Sequence, residues 1–348
     1  MRRVVWVCCL IIGVIGGWFA SVPERPYALD YKKMTLNLLV THSEFLNEPT
    51  FPLGEKYLAE DMAAALEKLG IDACVFAIED LYSNRNFKAG YALYMRAYPE
   101  LQLSGYHNYF DKDKIAILYE TIPYKLEEVK NADVVFTGSL KKSREYQAMG
   151  INAHFLPQFT RLDKFYYDPK PELKNELLFV GNRYPDTPSR KSIEYALEYG
   201  FKPAVYGAGW ENVLVGENAA LYKAKQIPGD NLKYFYSSAD IVLNDTREDM
   251  IEAGFISNRI FDVTAAGAFI ISDYIPEIEE IYGDSVPMYK NKEEFKMLID
   301  YYLAHPEERR EKALKAQKIT RERFGAEAVM AEMMRILEQY RQEKGIGK

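Results

Sequence analysis

The stretch from Tyr234 to Asp273, YFYSSADIVLNDTREDMIEAGFISNRIFDVTAAGAFIISD, constrains the fold of this chain more than any other. Two short apolar runs with strand character, Ile241-Val242-Leu243 and Ala268-Phe269-Ile270-Ile271, flank a helix-like segment. That segment carries Ser257-Asn258-Arg259 in its first turn and ends at a small-residue turn closed by Gly267. Strand, polar loop, helix and return strand make one βαβ unit. In such a unit the helix N-terminus faces the ligand crevice, and its free N–H groups favour anions. Asp262 lies four residues after Asn258 and three after Arg259, so these groups can converge on one helical face. An Arg beside the N-terminus and an Asp three residues on suit a diphosphate and a sugar hydroxyl.

The same grammar recurs along the chain. Leu36–Val40 reads as a strand, Glu55–Leu69 as a helix with apolar residues at helical spacing, and Ile71–Ile78 as the next strand. Residues 79–113 are less regular, with a helical patch at Ala89–Tyr98. Further strands are expected at 114–119, 133–137 and 154–157, with helices between them. After a polar segment holding Pro169 and Pro171, strands recur at 177–180, 203–206, 241–243 and 268–271. Nearly continuous apolar strands alternating with helices imply an α/β chain of two doubly wound, Rossmann-like sheets facing a cleft. The expected organisation is a first domain over 34–160, a linker over 161–176, a second domain over 177–325 and a C-terminal helix over 326–348. The last of these belongs to one long amphipathic stretch beginning at Pro306.

Residues 1–33 stand apart. Met1-Arg2-Arg3 is followed by an uncharged run from Val4 to Ala20. That pattern fits a membrane anchor or the apolar region of a signal peptide. Met34 offers an alternative start, so the expectation is either membrane association through residues 4–20 or a cytoplasmic protein beginning at Met34. A net charge of −7 argues against nucleic acid as a partner, since a basic face is the footprint of such binding. Cys8, Cys9 and Cys74 form no CxxC, and His42, His107, His154 and His305 show no metal-ligand spacing. No metal site or cofactor is expected.

Ligands of open α/β sheets bind beyond the strand C-termini. Gly181 follows an apolar run and precedes Arg183 and Arg190: either a phosphate cradle with arginines, or a tight turn with two solvated ones. Gly207-x-Gly209 also follows a strand but lacks the third Gly of a dinucleotide fingerprint, which disfavours an NAD site.

These residues carry a family resemblance. Leu178-Phe179-Val180-Gly181-Asn182, Val205-Tyr206-Gly207-x-Gly209-Trp210, Tyr236 to Asn244, and Ser257 to Asp262 through Ala268 resemble the C-terminal domain of GT-B glycosyltransferases. The likeness is to the glycosyl-transferase-family-1-like group that includes CgeB spore-maturation proteins. The resemblance spans roughly residues 105–340. It implies a glycosyltransferase of hexosyltransferase type that takes a nucleoside-diphosphate sugar as donor substrate, without a metal. The acceptor would be a glycan, lipid or protein. Gly181, Asn182, Arg183, Gly207, Gly209, Asn258, Arg259 and Asp262 would then bind the donor. Related enzymes carry two acids eight apart; here Asp262 takes the second position and Gly254 the first, with Glu252 nearby. A base in the first domain is expected at His42 or Glu120, each just after a strand. The other reading is a non-catalytic GT-B-like protein that binds a sugar or nucleotide, or sits at a cell surface.

Overall fold

The computed structural model describes residues 35–39, 54–76, 91–94, 115–130, 132–183 and 189–345. The leader at 1–33 and His42 lie outside these residues. Among them, no helix is long and apolar enough to cross a membrane.

The first sheet has six strands: β1 (Thr35–Leu39), β2 (Asp72–Phe76), β3 (Tyr91–Tyr94), β4 (Ile115–Glu120), β5 (Val134–Thr137) and β6 (Ala153–Phe155). Their order is β2-β1-β3-β4-β5-β6, and every pairing is parallel. Parallel neighbours require crossovers, which α1 (Gly54–Lys68), α2 (Leu126–Val129) and α3 (Leu140–Ala148) help supply. The segment around Tyr91–Tyr94, expected as helix, is strand β3. Its backbone pairs with β1 on one side and β4 on the other, and so completes the sheet.

The second sheet runs β12-β11-β10-β7-β8-β9, again all parallel. Its strands are β7 (Asn175–Val180), β8 (Ala204–Tyr206), β9 (Tyr222–Ala224), β10 (Ala239–Leu243), β11 (Ile270–Asp273) and β12 (Met288–Tyr289). The helices are α4 (Lys191–Glu198), α5 (Leu232–Ser238), α6 (Glu248–Ala253), α7 (Asn258–Ala265), α8 (Pro276–Tyr282), α9 (Lys292–Ala304), α10 (Pro306–Arg323) and α11 (Ala326–Lys344). One face of this sheet packs on α5, α7, α8 and α10 through Leu178, Val242, Ile260 and Phe324. The other packs on α4 and α9 through Phe179, Leu243, Phe295 and Ile299. With both faces covered, side chains pointing either way are buried, which is why these strands read as unbroken apolar runs.

The amphipathic stretch after Pro306 comprises two helices, α10 and α11. The helix breaks at Phe324-Gly325, where the chain crosses back to the first half. There Thr160 N–H donates to Phe324 O at 2.9 Å and Ala326 N–H donates to Thr160 O at 2.9 Å. Both crossings between halves thus run side by side. Beyond the break, α11 lays Val329, Met330, Met333 and Leu337 against Met62, Leu66 and Ile115 of the first half. Lys68 anchors the same junction, reaching Glu327 on α11 at 2.6 Å and Asp163 at 2.8 Å. Those pairs are half-exposed and contribute little; the buried methionines hold the helix down.

Met330 and Met333 are both fully buried. Truncating Met333→Ala is expected to cost about 2–5 kcal/mol in urea unfolding, the range for large-to-small changes in a packed core. The change should weaken the first half although the residue lies near the C-terminus.

Candidate functional site

A cleft of about 470 Å³ opens where the strands of the second sheet end, walled on its far side by α1 and by residues 121–122 and 158 of the first half. The loops after β7 and β8 form one wall, back to back. Gly181 N–H donates to Tyr206 O, Arg183 N–H to Ala208 O, and Trp210 Nε1 to Gly181 O at 2.8 Å. The fit demands glycine. At Gly207, with φ at 146°, a Cβ would sit 2.1 Å from Gly181 O; at Gly209, with φ at 84°, it would sit 2.1 Å from Arg183 O.

These two loops divide the expected site residues. Gly181, Asn182 and Gly207 line the cleft. Gly209 does not, being consumed by packing against the Arg183 backbone. Arg183 contributes its backbone to that packing and does not line the cleft either. The arginine that does is Arg190, just before α4. Its Nε and Nη2 donate to Asn182 O, and its Nη1 reaches Asp245 Oδ1 at 3.1 Å. Asp245 in turn accepts from Ser192 Oγ at 2.9 Å. Arg190 therefore braces the Gly181 loop and is already neutralised.

Arg259 is placed differently. It projects from the first turn of α7 to the cleft floor, with its guanidinium 5.2 Å from the Phe179 ring centre. Its Nη1 donates to Asn244 Oδ1 at 2.7 Å. Asn244 Nδ2 donates to Ser272 Oγ, and Ser272 Oγ to Asp273 Oδ1, each at 2.9 Å. A buried relay that ends on the Asp273 carboxyl thus orients the guanidinium, and Arg259 makes no direct ion pair among the described residues. Burial lowers its pKa, opposed by Tyr236 and by the Asp245 and Asp273 carboxyls nearby, with Arg190 adding to the lowering; an arginine stays charged regardless. Gly181 makes this possible, since a Cβ there would fall 2.6 Å from Arg259 Nη2.

Asn258 and Asp262 join Arg259 at the cleft, as their helical spacing requires. Asn258 Nδ2 donates to Asp262 Oδ2 at 3.1 Å, while Asn258 Oδ1 is buried and has no partner among the described residues. Asp262 Oδ1 accepts from Thr160 Oγ1 at 2.7 Å, tying the α7 face to the crossing between the halves. Burial pushes the Asp262 carboxyl up to about 7 despite these two donors. Ser257, the N-cap of α7, makes no capping hydrogen bond and also lines the cleft. Two groups that periodicity did not single out complete the floor and wall: Tyr236, and Asp61 on α1. Asp61 lies 3.6 Å from Arg161 and from Lys164, and burial raises its pKa.

Two expectations meet a different arrangement. Glu120 ends β4 but is fully buried, and it does not line the cleft. Its Oε1 accepts from Tyr124 N and Tyr146 OH at 2.9 Å each, and burial raises its pKa. This makes Glu120 a fastening of the turn onto α3, because a β4 side chain at that register points into the layer shared with Tyr146. Gly254, in place of the first acid, is the left-handed C-cap of α6 with φ at 77°. A Cβ there would lie 2.5 Å from Glu277 Oε1, so a carboxylate from α8 already occupies that space. Glu252 is exposed, does not line the cleft, and gives its carbonyl to Lys141 Nζ. Among the described residues no group of three His, Cys, Asp or Glu side chains forms a metal site.

The raised pKa of Asp262 has a definite sign. The native state holds this proton to about pH 7, while the unfolded chain releases it near about pH 4. The carboxyl thus favours the native state at low pH, and that contribution is lost as pH rises between those values. Asp262→Asn should flatten this part of the stability–pH curve, measured by urea unfolding across that window.

A family model described as glycosyl transferase-like matches residues 189–335. Spore protein CgeB of Bacillus subtilis (strain 168) is 25% identical over 226 residues, spanning 61% of this chain and 70% of that protein. Among solved structures, HepE of Anabaena in complex with UDP-glucose superposes with a TM-score of 0.63 at 12% identity, covering 88% of this chain and all of HepE. Sucrose-phosphate synthase of Thermosynechococcus elongatus gives 0.62 at 12% identity, over 88% of this chain and 98% of that one. An alpha-glucosyltransferase in complex with UDP-glucose and DNA gives 0.62 at 10% identity, over 88% and 99%. The resemblance read from the sequence is therefore borne out: the chain has the GT-B glycosyltransferase fold, and its sequence is similar to the glycosyl transferase-like family and to CgeB.

Proposed function

We propose that the protein is a glycosyltransferase that moves a sugar from a nucleoside-diphosphate donor to a glycan, lipid or protein acceptor, without a metal. The observation that carries this reading is the Arg259 guanidinium, held at the cleft floor by a neutral amide and in no direct ion pair among the described residues. A partly buried cation without a direct ion pair gains when an anion arrives to pair with it. The adjacent N-terminus of α7, uncapped by a side chain, adds N–H donors of the same polarity.

In this reading the diphosphate lies between Arg259, the Asn258 turn and the Gly181 loop, where bare backbone allows close approach. Arg259 and the helix N-terminus stabilise the charge that builds on the leaving diphosphate, the task a metal performs in other enzymes. Asp262, at the far end of the same helical face, accepts a hydroxyl of the donor. The cleft-facing wall of the first half, with Asp61 and Tyr57, takes the acceptor. The complex of HepE with UDP-glucose supports a donor of this class. Gly254 leaves open the second reading, in which a nucleotide or sugar is bound and not turned over.

Thermal shift with nucleoside diphosphates and their sugars on residues 34–348 tests the binding half. At least one should raise the melting temperature, and Arg259→Ala should remove most of the shift, since a charge-assisted hydrogen bond is worth roughly 1.5–3 kcal/mol, or about tenfold or more in affinity. No shift with any nucleotide would sink the proposal. A product-release assay with the same donors separates turnover from binding alone.

A further inference from the structure

A second cavity, of about 380 Å³, lies at the other end of the second sheet. It opens where β10 and β11 begin, whereas the cleft opens where they end. Its walls are the connector at 167–174, the end of α5, the turn at 267–269 and the first turns of α10. β10 is five residues long, so roughly 17 Å of strand separates the two openings.

The charge of this cavity is opposite to that of the chain. The whole protein carries −7, yet the cavity is lined by Lys170, Lys174, Arg309 and Arg310 against one carboxylate, Asp240. Asp240 Oδ1 already accepts from Lys174 at 2.5 Å and from Arg309 at 2.8 Å. Arg309 is spent further on the carbonyls of Tyr302 and Leu303. Lys170 pairs with Asp168 at 2.7 Å and lies 4.8 Å from the Tyr234 ring. Arg310 makes no ion pair among the described residues. Its guanidinium rests 4.3 Å over the Tyr167 ring, and its contact to Gly267 O is a long 3.4 Å. Tyr167 itself is 46% exposed. The first turn of α10 carries Glu307 and Glu308, which satisfy the helix dipole, so the basic side chains and the tyrosine are what the cavity offers.

We infer that this cavity binds an anionic saccharide, its acid group held by Arg310 and Lys170 and its ring packed against Tyr167 and Pro171. An unpaired guanidinium recognises phosphate or carboxylate, and an exposed tyrosine supplies an amphipathic face for a sugar ring. The volume is in the range of small-ligand pockets, roughly 300–1,000 Å³, and takes one or two rings. The inference does not depend on the donor reading, because none of these residues touches the cleft.

Two sources share this chemistry, a free sugar phosphate and the end of an acidic glycan. Calorimetric titration of the full chain with glucose 6-phosphate and with trigalacturonate distinguishes them. At least one should bind the wild type. The paired change Arg310→Ala and Lys170→Ala should weaken that binding tenfold or more, and Arg259→Ala should leave it within twofold. Arg310 is exposed on its helix, so Arg310→Glu alone serves as a second variant with the fold intact, and it too should weaken binding. Absence of binding by both ligands overturns the inference. So does unchanged affinity in both Arg310 variants, or loss in Arg259→Ala, which would place the ligand in the cleft.

Discussion

The contact on which the site depends is the hydrogen bond between Arg259 and Asn244. It holds a partly buried guanidinium without pairing it to a carboxylate. A carboxylate at residue 244 would cancel the charge; an apolar residue would leave the arginine free to turn away. The relay behind it, through Ser272 to Asp273, keeps the Asn244 amide oriented. Every element around the cleft serves this arrangement. Gly181 leaves the space that Arg259 fills, Phe179 supports the planar group from below, and the Arg190–Asp245 pair braces the Gly181 loop. The negative groups nearby are spoken for by other donors.

A second constraint binds the halves together. The chain crosses between sheets twice, at Thr160 and at Gly325, and the crossings are hydrogen-bonded to each other. Thr160 also donates to Asp262, so the crossing and the cleft floor are one network. Around it, Ser139 Oγ, Lys141 Nζ and Gln158 Nε2 of the first half all donate to carbonyls of residues 252–256. These side-chain donors meet the loop around Gly254, where a left-handed glycine presents bare backbone. The absence of an acid at that position therefore has a local structural reason: α8 brings Glu277 into the space instead.

The strand-and-helix alternation was legible because a sheet covered on both faces writes itself as short, unbroken apolar runs, as at Leu177–Val180 and Ile241–Leu243. The convergence of Asn258, Arg259 and Asp262 was legible because it follows from helical spacing alone. Strand β3 was not, since Tyr91–Tyr94 takes its conformation from the neighbours β1 and β4 rather than from local preference. Nor was the return of α11 to the first half, which is fixed by the pairing of Phe324 and Ala326 with Thr160. The choice of Arg190 over Arg183 was equally hidden, for both arginines belong to the same loop.

Sequence alone determined the α/β class, the two doubly wound sheets and the helical face that carries the candidate site. These depend on period and on neighbours a few residues apart. Tertiary structure alone decided that Gly209 and Glu120 lie outside the cleft lining, that Arg190 is ion-paired while Arg259 is held by an amide, and that α11 returns to complete the first half. Those outcomes turn on which groups far apart in the chain meet within hydrogen-bonding distance, and on which of them lose their water. Neither is encoded in any local stretch, because a side chain's charge is spent or kept by partners that only the closed fold brings together.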